Sequence, residues 1–492
     1  MNKVQILKKM SEISSTTENE QIGQMEDFLP LKGYQMIGNP NKFLIIGGRG
    51  SGKTKLRDTI LQKDGFRSIV GTQRQLFGPN PDNATFISGY DTSSKFPQPS
   101  ILLDYNDDKN AMAYWAGSVI FLLFEFFCDN STVLNIAKDY FNSENVELFQ
   151  KIKNLKSPSK WIQLMLEYSE LWENYLDDVD EYLTKEDKWI FLTYDYLDRI
   201  SYEYNGLFPF IRTLLTFWFS HLHRWNRIKC KIFLRNDLFD SRLLNFPDSS
   251  KLGNNTIRLE WNTISLYRLL VKKLANSNDE DVMQYLCQYN GLVNLEKDET
   301  LGYMPTDDEE TMVKFIEGMI GKYMGSNPKK GVSYFWVPNH LQDTHGVIAP
   351  RSFLKCYAVA AQAAYDNVED IGKLEGKRIL PPITLQKAVL LVSRDRVEEL
   401  KEEYEWLSEL QTSLAGATML MNKKEFIQRI RMDNWNDNRK KTLPATTPEG
   451  IFEILQQLGI VFVARDGRVN VPEIYLHGFG MKRKGGLRRT SM

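Results

Sequence analysis

The residues best suited to chemistry begin with a glycine-rich loop that ends in a lysine and a threonine. Residues 47–54 read Gly-Gly-Arg-Gly-Ser-Gly-Lys-Thr, the pattern G-x-x-x-x-G-K-T. Glycines in such a loop let successive backbone N–H groups converge on phosphate oxygens. Lys53 is expected to reach the β- and γ-phosphates of a nucleotide, and Thr54 to offer its hydroxyl to Mg²⁺. The predicted nucleotide-binding residues are Gly47, Gly48, Arg49, Gly50, Ser51, Gly52, Lys53 and Thr54.

A carboxylate at the end of an apolar strand supplies the second part of this chemistry. Residues 188–194 read Lys-Trp-Ile-Phe-Leu-Thr-Tyr, and Asp195 follows them directly. A carboxylate at that edge of a parallel sheet can hold Mg²⁺ beside Thr54, directly or through water. Many ATPases place a glutamate next, but this chain has Tyr196, and Asp198 is the nearest acid that could help. A helix-capping aspartate is the alternative interpretation of Asp195.

Two further positions are candidates for sensing the γ-phosphate. Residues 229–234 form another apolar run, and Asn236 lies just beyond it. Its amide suits hydrogen bonds to a phosphate oxygen and to the attacking water, although Arg235 could serve instead. Arg351 stands near the start of a predicted helix, where a cation opposes the helix dipole and so suggests another partner. Helix capping by Asn236 and an exposed Arg351 are the alternatives.

The elements that must position these residues are apolar strands separated by helices. Strands are predicted over 43–46, 188–194 and 229–234, with a helical insertion at about 100–185. This pattern indicates an α/β fold in which helices cover both faces of a parallel sheet. We expect a P-loop NTPase core, then a helical lid, then a winged-helix domain. The expected divisions are a lead at 1–40, the core at 41–255, the lid at 256–375 and the C-terminal domain at 376–492.

The C-terminal region carries the features that predict a winged helix. A helix over 448–458 precedes an apolar strand, an Asp-Gly turn at 466–467 and a second strand. A helix followed by a hairpin with such a turn is typical of that domain. The tail adds the basic residues Lys482, Arg483, Lys484, Arg488 and Arg489. They could contact a nucleic-acid backbone, while a solvated tail or a protein-binding winged helix is the alternative.

Composition narrows the function classes. The chain of 492 residues has 62 Lys and Arg against 63 Asp and Glu, so no overall charge steers it to nucleic acid or membrane. The cysteines lack paired spacing, which speaks against a zinc site or disulfides. The apolar run at 111–128 is short for a membrane span and is expected to be a buried helix. The first 20 residues lack the apolar core of a signal peptide. These features predict a cytoplasmic protein without membrane contact.

Several motifs together resemble a known group. They are the loop at 47–54, Phe-Leu-Thr-Tyr-Asp-Tyr-Leu-Asp-Arg at 191–199, Lys-Ile-Phe-Leu-Arg-Asn-Asp at 231–237 and Ala-Pro-Arg-Ser-Phe-Leu at 349–354. The chain resembles P-loop ATPases of the AAA+/STAND kind, and residues 195–199 are similar to the Asp-Asp-Leu-Asp-Arg of KAP-type NTPases, with Tyr196 replacing the second acid. The resemblance implies ATP and Mg²⁺ as ligands, and a homo-oligomer or an effector protein as partner. It also implies a setting in anti-phage defence or DNA transactions.

The motifs therefore predict an ATP-hydrolysing molecular switch that couples its nucleotide state to a partner. Hydrolysis is expected to be slow or partner-activated, because Tyr196 stands where a glutamate is usual. The alternative is a scaffold that keeps ATP as a structural ligand without hydrolysing it. GTP is disfavoured, since Asn-Lys-Lys-Glu at 422–425 lacks the aspartate that reads guanine. A small-molecule kinase shares the first motif but needs no winged helix.

Overall fold

The computed structural model describes residues 2–13, 25–71, 78–151, 155–202, 204–239, 249–436, 443 and 445–483. The chain forms two compact units, one of Pro30–Leu259 and one of Met1–Leu29 with Glu260–Met492. The strands are β1 Leu44–Gly47, β2 Ala84–Tyr90, β3 Trp189–Tyr194, β4 Ile228–Arg235, β5 Thr256–Arg258, β6 Thr418–Met419, β7 Met421–Asn422, β8 Phe462–Val463, β9 Arg468–Asn470 and β10 Lys482–Arg483. The helices are α1 Lys3–Ser11, α2 Lys53–Leu61, α3 Lys63–Val70, α4 Pro99–Leu102, α5 Asp108–Phe126, α6 Ser131–Tyr140, α7 Ser143–Lys151, α8 Ile162–Glu167, α9 Ser169–Lys185, α10 Tyr204–His221, α11 Thr263–Ala275, α12 Glu280–Cys287, α13 Glu309–Ile320, α14 Ser333–Leu341, α15 Pro350–Tyr365, α16 Val368–Ile371, α17 Pro382–Glu403, α18 Leu407–Leu414, α19 Lys423–Arg429, α20 Pro448–Gln457 and α21 Glu473–Leu476.

A parallel sheet organises the unit Pro30–Leu259. Its strand order is β2-β3-β4-β1-β5, and every neighbouring pair is parallel. All four residues of β1 are buried, as are all but the last of β4, because helices cover both faces of such a sheet. The predicted α/β class with a P-loop core and a following helical region is thereby confirmed. The three strands expected from sequence are the inner ones.

The two edge strands of this sheet were not anticipated. The sequence pattern predicts no strand at 84–90, where the structure has β2, and none at 256–258, where it has β5. Only the end of β2 is fully buried, so its side chains do not form a continuous apolar run. A half-buried edge strand of this kind lacks the pattern that identifies inner strands.

The helical insertion between β2 and β3 packs around α5. This helix is buried over most of its length, in agreement with the expected buried helix at 111–128. Gly117 is required there, because an added Cβ would lie 2.4 Å from the Trp161 ring. Among the described residues, no helix combines the length and the apolarity that a membrane crossing requires.

The second unit joins the N-terminal residues to the C-terminal half of the chain. Helix α1 packs against α15 and buries Ile6, Leu7 and Met10. The division expected at residue 40 therefore differs from the observed one, in which residues 1–29 belong with 260–492. Part of the predicted lead, residues 14–24, lies outside the described residues.

A small antiparallel sheet lies near the C-terminus, with strand order β7-β9-β8. Helix α19 packs against β7 and β9, and α20 packs against α19, with the ring centroids of Phe426 and Phe452 5.6 Å apart. Of the predicted basic tail, Lys482 and Arg483 form β10, which pairs with β6. The remaining tail residues Lys484, Arg488 and Arg489 lie outside the described residues.

Candidate nucleotide-binding site

The glycine-rich loop connects β1 to α2 at the carboxyl edge of the sheet. Gly50 and Gly52 have φ values of 73° and 94°, which explains why glycine stands at both positions. The Lys53 Nζ donates hydrogen bonds to the Gly47 and Gly48 carbonyl oxygens at 2.9 and 2.8 Å. An ammonium group has three N–H donors, so these bonds hold Lys53 over the loop and leave it donor capacity.

Burial changes the acidity of Lys53. Desolvation lowers the pKa of this lysine to about 8, and the positive charge of Arg235 acts in the same direction. The carboxylates of Asp195, Asp237 and Asp198 oppose the shift, Asp195 most strongly. A bound anion would favour the charged form of Lys53, so the position suits a cation that is completed by a ligand.

Thr54 and Asp195 meet at this edge of the sheet. The Thr54 hydroxyl donates to Asp195 Oδ2 at 2.8 Å, and the Tyr196 N–H donates to Asp195 Oδ1 at 2.8 Å. Asp195 is only 4% exposed, and burial raises its pKa. Arg57, both hydrogen bonds and Lys53 oppose that rise. The two residues predicted to hold a metal ion are therefore in direct contact.

Arg57 is a site residue that the sequence analysis missed. It lies one helical turn after Lys53, and its guanidinium pairs with Asp58 at 2.7 Å. Burial alone would lower the pKa of Arg57, but the carboxylates of Asp58 and Asp195 outweigh burial and raise it. One signal in the sequence points to Arg57: it lies four residues after Lys53, and positions i and i+4 share one face of a helix.

Tyr196 occupies the position of the usual glutamate and has an uncommon backbone conformation. Its φ is 55°, in the left-handed region that non-glycine residues rarely adopt. The guanidinium groups of Arg57 and Arg199 each lie 5.4 Å from the centre of its ring. Such cation–π contacts hold the ring between two cations. This position therefore has no carboxylate that could accept a proton from water.

The end of β4 brings Arg235 to the loop. In the register of β1 and β4, Arg235 stands opposite Gly47. Its guanidinium donates to both Asp237 carboxylate oxygens at 3.0 and 2.8 Å, and through Nη1 to Asp198 Oδ2 at 3.1 Å. The predicted residue Asn236 is exposed at the start of the 3₁₀ helix Asn236–Leu238. The structure thus brings Arg235 and Asp198 into the site and leaves the role of Asn236 a prediction.

Arg351 belongs to the other compact unit. Its Nη1 lies 3.8 Å from Glu399 Oε1, so its nearest acidic group is on α17 of the same unit. The expected Arg351 contact with a γ-phosphate stays a prediction.

The residues present fit a nucleotide with Mg²⁺. An added Cβ at Gly48 would meet no heavy atom within 4 Å, so open space faces the loop at that point. Mg²⁺ takes oxygen ligands and usually keeps several waters, so the oxygens of Thr54 and Asp195 together with phosphate oxygens suffice. In the described part of the chain, no group of three or more His, Cys, Asp or Glu side chains is arranged for a metal. A Mg²⁺ site that is completed by phosphate oxygens and water does not need such a group.

Fold and site together define the class. A parallel sheet that carries a G-x-x-x-x-G-K-T loop after β1, with an acidic residue at the end of β3, two strands away, facing the threonine, is a P-loop NTPase core. The P-loop core that the resemblance to AAA+/STAND ATPases implies is therefore present.

Comparison with known proteins adds the following. No family model matches the chain, and no curated protein matches it. The chain is similar to the structure of the Aeropyrum pernix ORC2 protein in ADPNP-ADP complexes, at 13% identity, with 90% of this chain and 89% of that chain covered and a TM-score of 0.26. It is also similar to the crystal structure of Cdc6p from Pyrobaculum aerophilum, at 12% identity, with 96% of each chain covered and a TM-score of 0.26. TM-scores this low carry no argument about the site, and the KAP and STAND resemblance stays a prediction.

Proposed function

We propose that this protein is an ATP-driven switch of the AAA+/STAND kind, which binds ATP with Mg²⁺ and hydrolyses it slowly or on activation by a partner. The contact of 2.8 Å between the Thr54 hydroxyl and Asp195 carries the proposal. It unites, at the phosphate-binding loop, two oxygen groups that the sequence separates by 141 positions. A capping aspartate would not need to face the threonine of the loop.

Each site residue has a definite task in this proposal. Lys53 neutralises and orients the β- and γ-phosphates, while the backbone N–H groups of the loop hold their oxygens. Thr54 and Asp195 would hold Mg²⁺, which when bound withdraws charge from the phosphate oxygens. Arg57 keeps positive charge beside Asp195 and so favours its ionised, metal-binding form.

The environment of Tyr196 supports slow or activated hydrolysis. A phenol with a raised pKa is neutral near pH 7, and burial followed by the charge of Asp195 raises the pKa of Tyr196. It therefore cannot accept the proton of an attacking water as a glutamate does. Asp198, which could have assisted, is engaged by Arg235. The same features support the second candidate, a scaffold that binds ATP without turnover.

We propose a winged helix for the region around α19, α20 and the β8–β9 hairpin, but not a DNA-reading role for α20. The exposed positions of α20 include Glu449, Glu453 and Gln457, whose charges or amides do not attract phosphates. The end of α20 is also occupied, since the Thr344 N–H donates to the Gly459 carbonyl at 3.1 Å. An effector protein or a second copy of the chain is therefore the preferred partner. Nucleic acid would have to be bound by the basic tail.

The decisive experiment is ATP turnover and ATP binding by the purified protein, with Lys53→Ala and Asp195→Ala beside the wild type. Turnover that is lost in both variants supports the switch, and Lys55→Ala on the same helix serves as the control. Tight ATP binding without turnover, with or without DNA, would favour the scaffold. Absence of nucleotide binding would refute both.

The partner class can be tested in the same preparation. If the tail binds DNA, the affinity should fall steeply between about 50 and 200 mM salt and weaken when Lys482, Arg483 and Lys484 are neutralised. Binding that is absent or independent of salt would exclude nucleic acid. A role in anti-phage defence would appear as protection of host cells that is lost with Lys53→Ala.

A further inference from the structure

One nitrogen of Arg57 is buried without an acceptor. The Arg57 Nε donates to Asp58 Oδ1 at 3.0 Å, and its Nη2 lies 2.7 Å from the same oxygen. The Arg57 Nη1 is also buried, and within the described part of the chain it has no hydrogen-bond partner. Arg57 is only 9% exposed, so bulk water has little access to it. A buried donor costs free energy until a ligand completes it, and a guanidinium N–H suits a phosphate oxygen.

The ring of Tyr196 lies between this guanidinium and a second one. The guanidinium carbons of Arg57 and of the exposed Arg199 are each 5.4 Å from the ring centre. The Tyr196 N–H donates to Asp195 Oδ1 at 2.8 Å and so helps to hold a left-handed backbone with a φ of 55°. Such a conformation costs free energy and is found most often at functional sites. Two cations beside one phenol would stabilise a phosphate on its oxygen.

The phenol of Tyr196 lies beside the residues proposed to hold Mg²⁺. Burial and the charge of Asp195 raise the pKa of Tyr196, whereas Arg57 and hydrogen bonding with Thr54 oppose that rise. In phosphoryl transfer Mg²⁺ bridges the β- and γ-phosphates, so a group beside Thr54 and Asp195 is near the γ-phosphate. A tyrosine side chain is also longer than a glutamate side chain. Its oxygen therefore extends toward the place where a glutamate at this position would hold the attacking water.

We propose that Tyr196 accepts the γ-phosphoryl group of ATP bound to the same chain, so that the protein phosphorylates itself on this tyrosine. The phenol oxygen forms a bond to the γ-phosphorus, and the bond from that phosphorus to the oxygen shared with the β-phosphate breaks. ADP leaves and the phenolic proton passes to water. Because the transition state of such transfers is loose, the phenol need not be ionised beforehand. The Arg57 Nη1 donates to the transferred phosphate. This inference rests on the proposed nucleotide site and gives it a phosphoryl acceptor besides water.

Mass spectrometry of the intact protein after incubation with ATP and Mg²⁺ tests the transfer. The wild type should gain the mass of one phosphoryl group, and peptide mapping should place it on Tyr196. Tyr196→Phe keeps the ring between its two cations but lacks the acceptor oxygen, so it should gain none, and Lys53→Ala should gain none either. Tyr202→Phe is the matched control, because Tyr202 is a nearby tyrosine that is 69% exposed. It should be phosphorylated like the wild type.

Failure of the transfer can be told apart from failure of the nucleotide site. A wild type that binds AMP-PNP in calorimetry but gains no phosphate on Tyr196 from ATP would overturn the transfer and leave the nucleotide site intact. Release of inorganic phosphate without phosphotyrosine would do the same, because water would then be the acceptor. A rate per chain that rises with protein concentration would overturn transfer within one chain. Failure to bind AMP-PNP or ATP would overturn the nucleotide site itself.

The contact of Arg57 with the phosphate is tested by the transfer rate and by phosphorus NMR. Arg57→Gln should slow the transfer about 10- to 100-fold, the loss expected for a charge-assisted hydrogen bond. Asp58→Asn removes the ion-pair partner but keeps the Arg57 Nη1, so it should leave the rate within a few-fold of the wild type. In the phosphorylated protein the second pKa of the phosphate should lie below about 6, the value of a phosphate monoester, because two guanidinium groups favour the dianion. A pKa at or above that value, or an equal rate loss in Asp58→Asn, would refute the contact.

Discussion

Asp180 is the residue whose replacement should damage the framework of the site most clearly. It is a buried carboxylate on α9, and it accepts the backbone N–H groups of Asn226, Arg227 and Ile228 at 2.7, 2.7 and 2.8 Å. These groups lie where β4 begins. Asp180 therefore fixes the start of the strand that carries Arg235 at its other end.

The cost of Asp180→Ala follows from these contacts. A hydrogen bond to a charged group contributes about 1.5–3 kcal/mol, and a buried donor left without a partner costs about 1–3 kcal/mol. Such terms are not additive, because water enters the space that the side chain leaves and the ion returns to water in the unfolded chain. We expect a loss of about 3–5 kcal/mol in the free energy of unfolding of the unit Pro30–Leu259. Asp180→Asn keeps one acceptor oxygen and should lose less.

Chemical denaturation measures the loss in the free energy of unfolding, and hydrogen exchange at the amides of residues 226–228 shows whether that loss arises at the start of β4. Glu181→Ala is the control, because Glu181 is the next residue on the helix and its exposed pair with Lys185 contributes at most about 0.5 kcal/mol. A loss below about 1 kcal/mol for Asp180→Ala, or unchanged exchange at 226–228, would refute the claim that Asp180 fixes the start of β4.

Three further predictions address the loop and the sheet. Asp195→Asn should abolish metal binding yet raise the thermal midpoint of the nucleotide-free protein at pH 7, because burial raises the pKa of Asp195 and makes its charge unfavourable; a lower midpoint by calorimetry would contradict this. Burial lowers the pKa of Lys231 to about 7, so the unfolded chain binds more protons at this lysine above pH 7, and its share of the rise in stability toward pH 10 is at most about 1.4 kcal/mol per pH unit. Denaturation at several pH values should show that Lys231→Met removes this share of the slope, while the share of Lys53, whose pKa is lowered to about 8, remains. Gly47→Ala should lower the melting temperature, since its Cβ would lie 2.4 Å from the Ser51 Oγ, whereas Gly48→Ala should spare the fold and weaken nucleotide affinity; equal melting temperatures for the two variants would exclude the clash.

The inner strands of the sheet can be predicted from sequence, because a strand that is buried on both faces is a continuous run of apolar residues. Strands β1, β3 and β4 are apolar runs, and the polar residues after them stand at one edge of a parallel sheet. The expected proximity of Thr54 and Asp195 follows from that rule alone. Edge strands leave no such trace, since β2 mixes exposed and buried positions and β5 has three residues.

Residues that act through pairing were harder to predict. Arg57 is one basic residue among several on α2, and its place beside Asp195 depends on the packing of that helix against the sheet. The residue types at 235 and 236 both suit a phosphate, and the difference in burial between Arg235 and the exposed Asn236 is a property of the folded strand end. The association of α1 with α15 joins segments more than 300 positions apart, which no local pattern indicates.

The charges of the site bear on why nucleotide binding should change the protein. Each cation already has acidic neighbours before any nucleotide arrives, and the formal sum of the group is −1. The group comprises Lys53, Arg57 and Arg235 with Asp58, Asp195, Asp198 and Asp237. A triphosphate carries more negative charge than its diphosphate, so a site whose cations are already paired favours binding together with a counter-ion, in addition to the backbone N–H groups of the loop. Mg²⁺ held by Thr54 and Asp195 would supply this counter-ion. Because the acids already outnumber the cations, a triphosphate is expected to bind as its Mg²⁺ complex and to redistribute the ion pairs of this group.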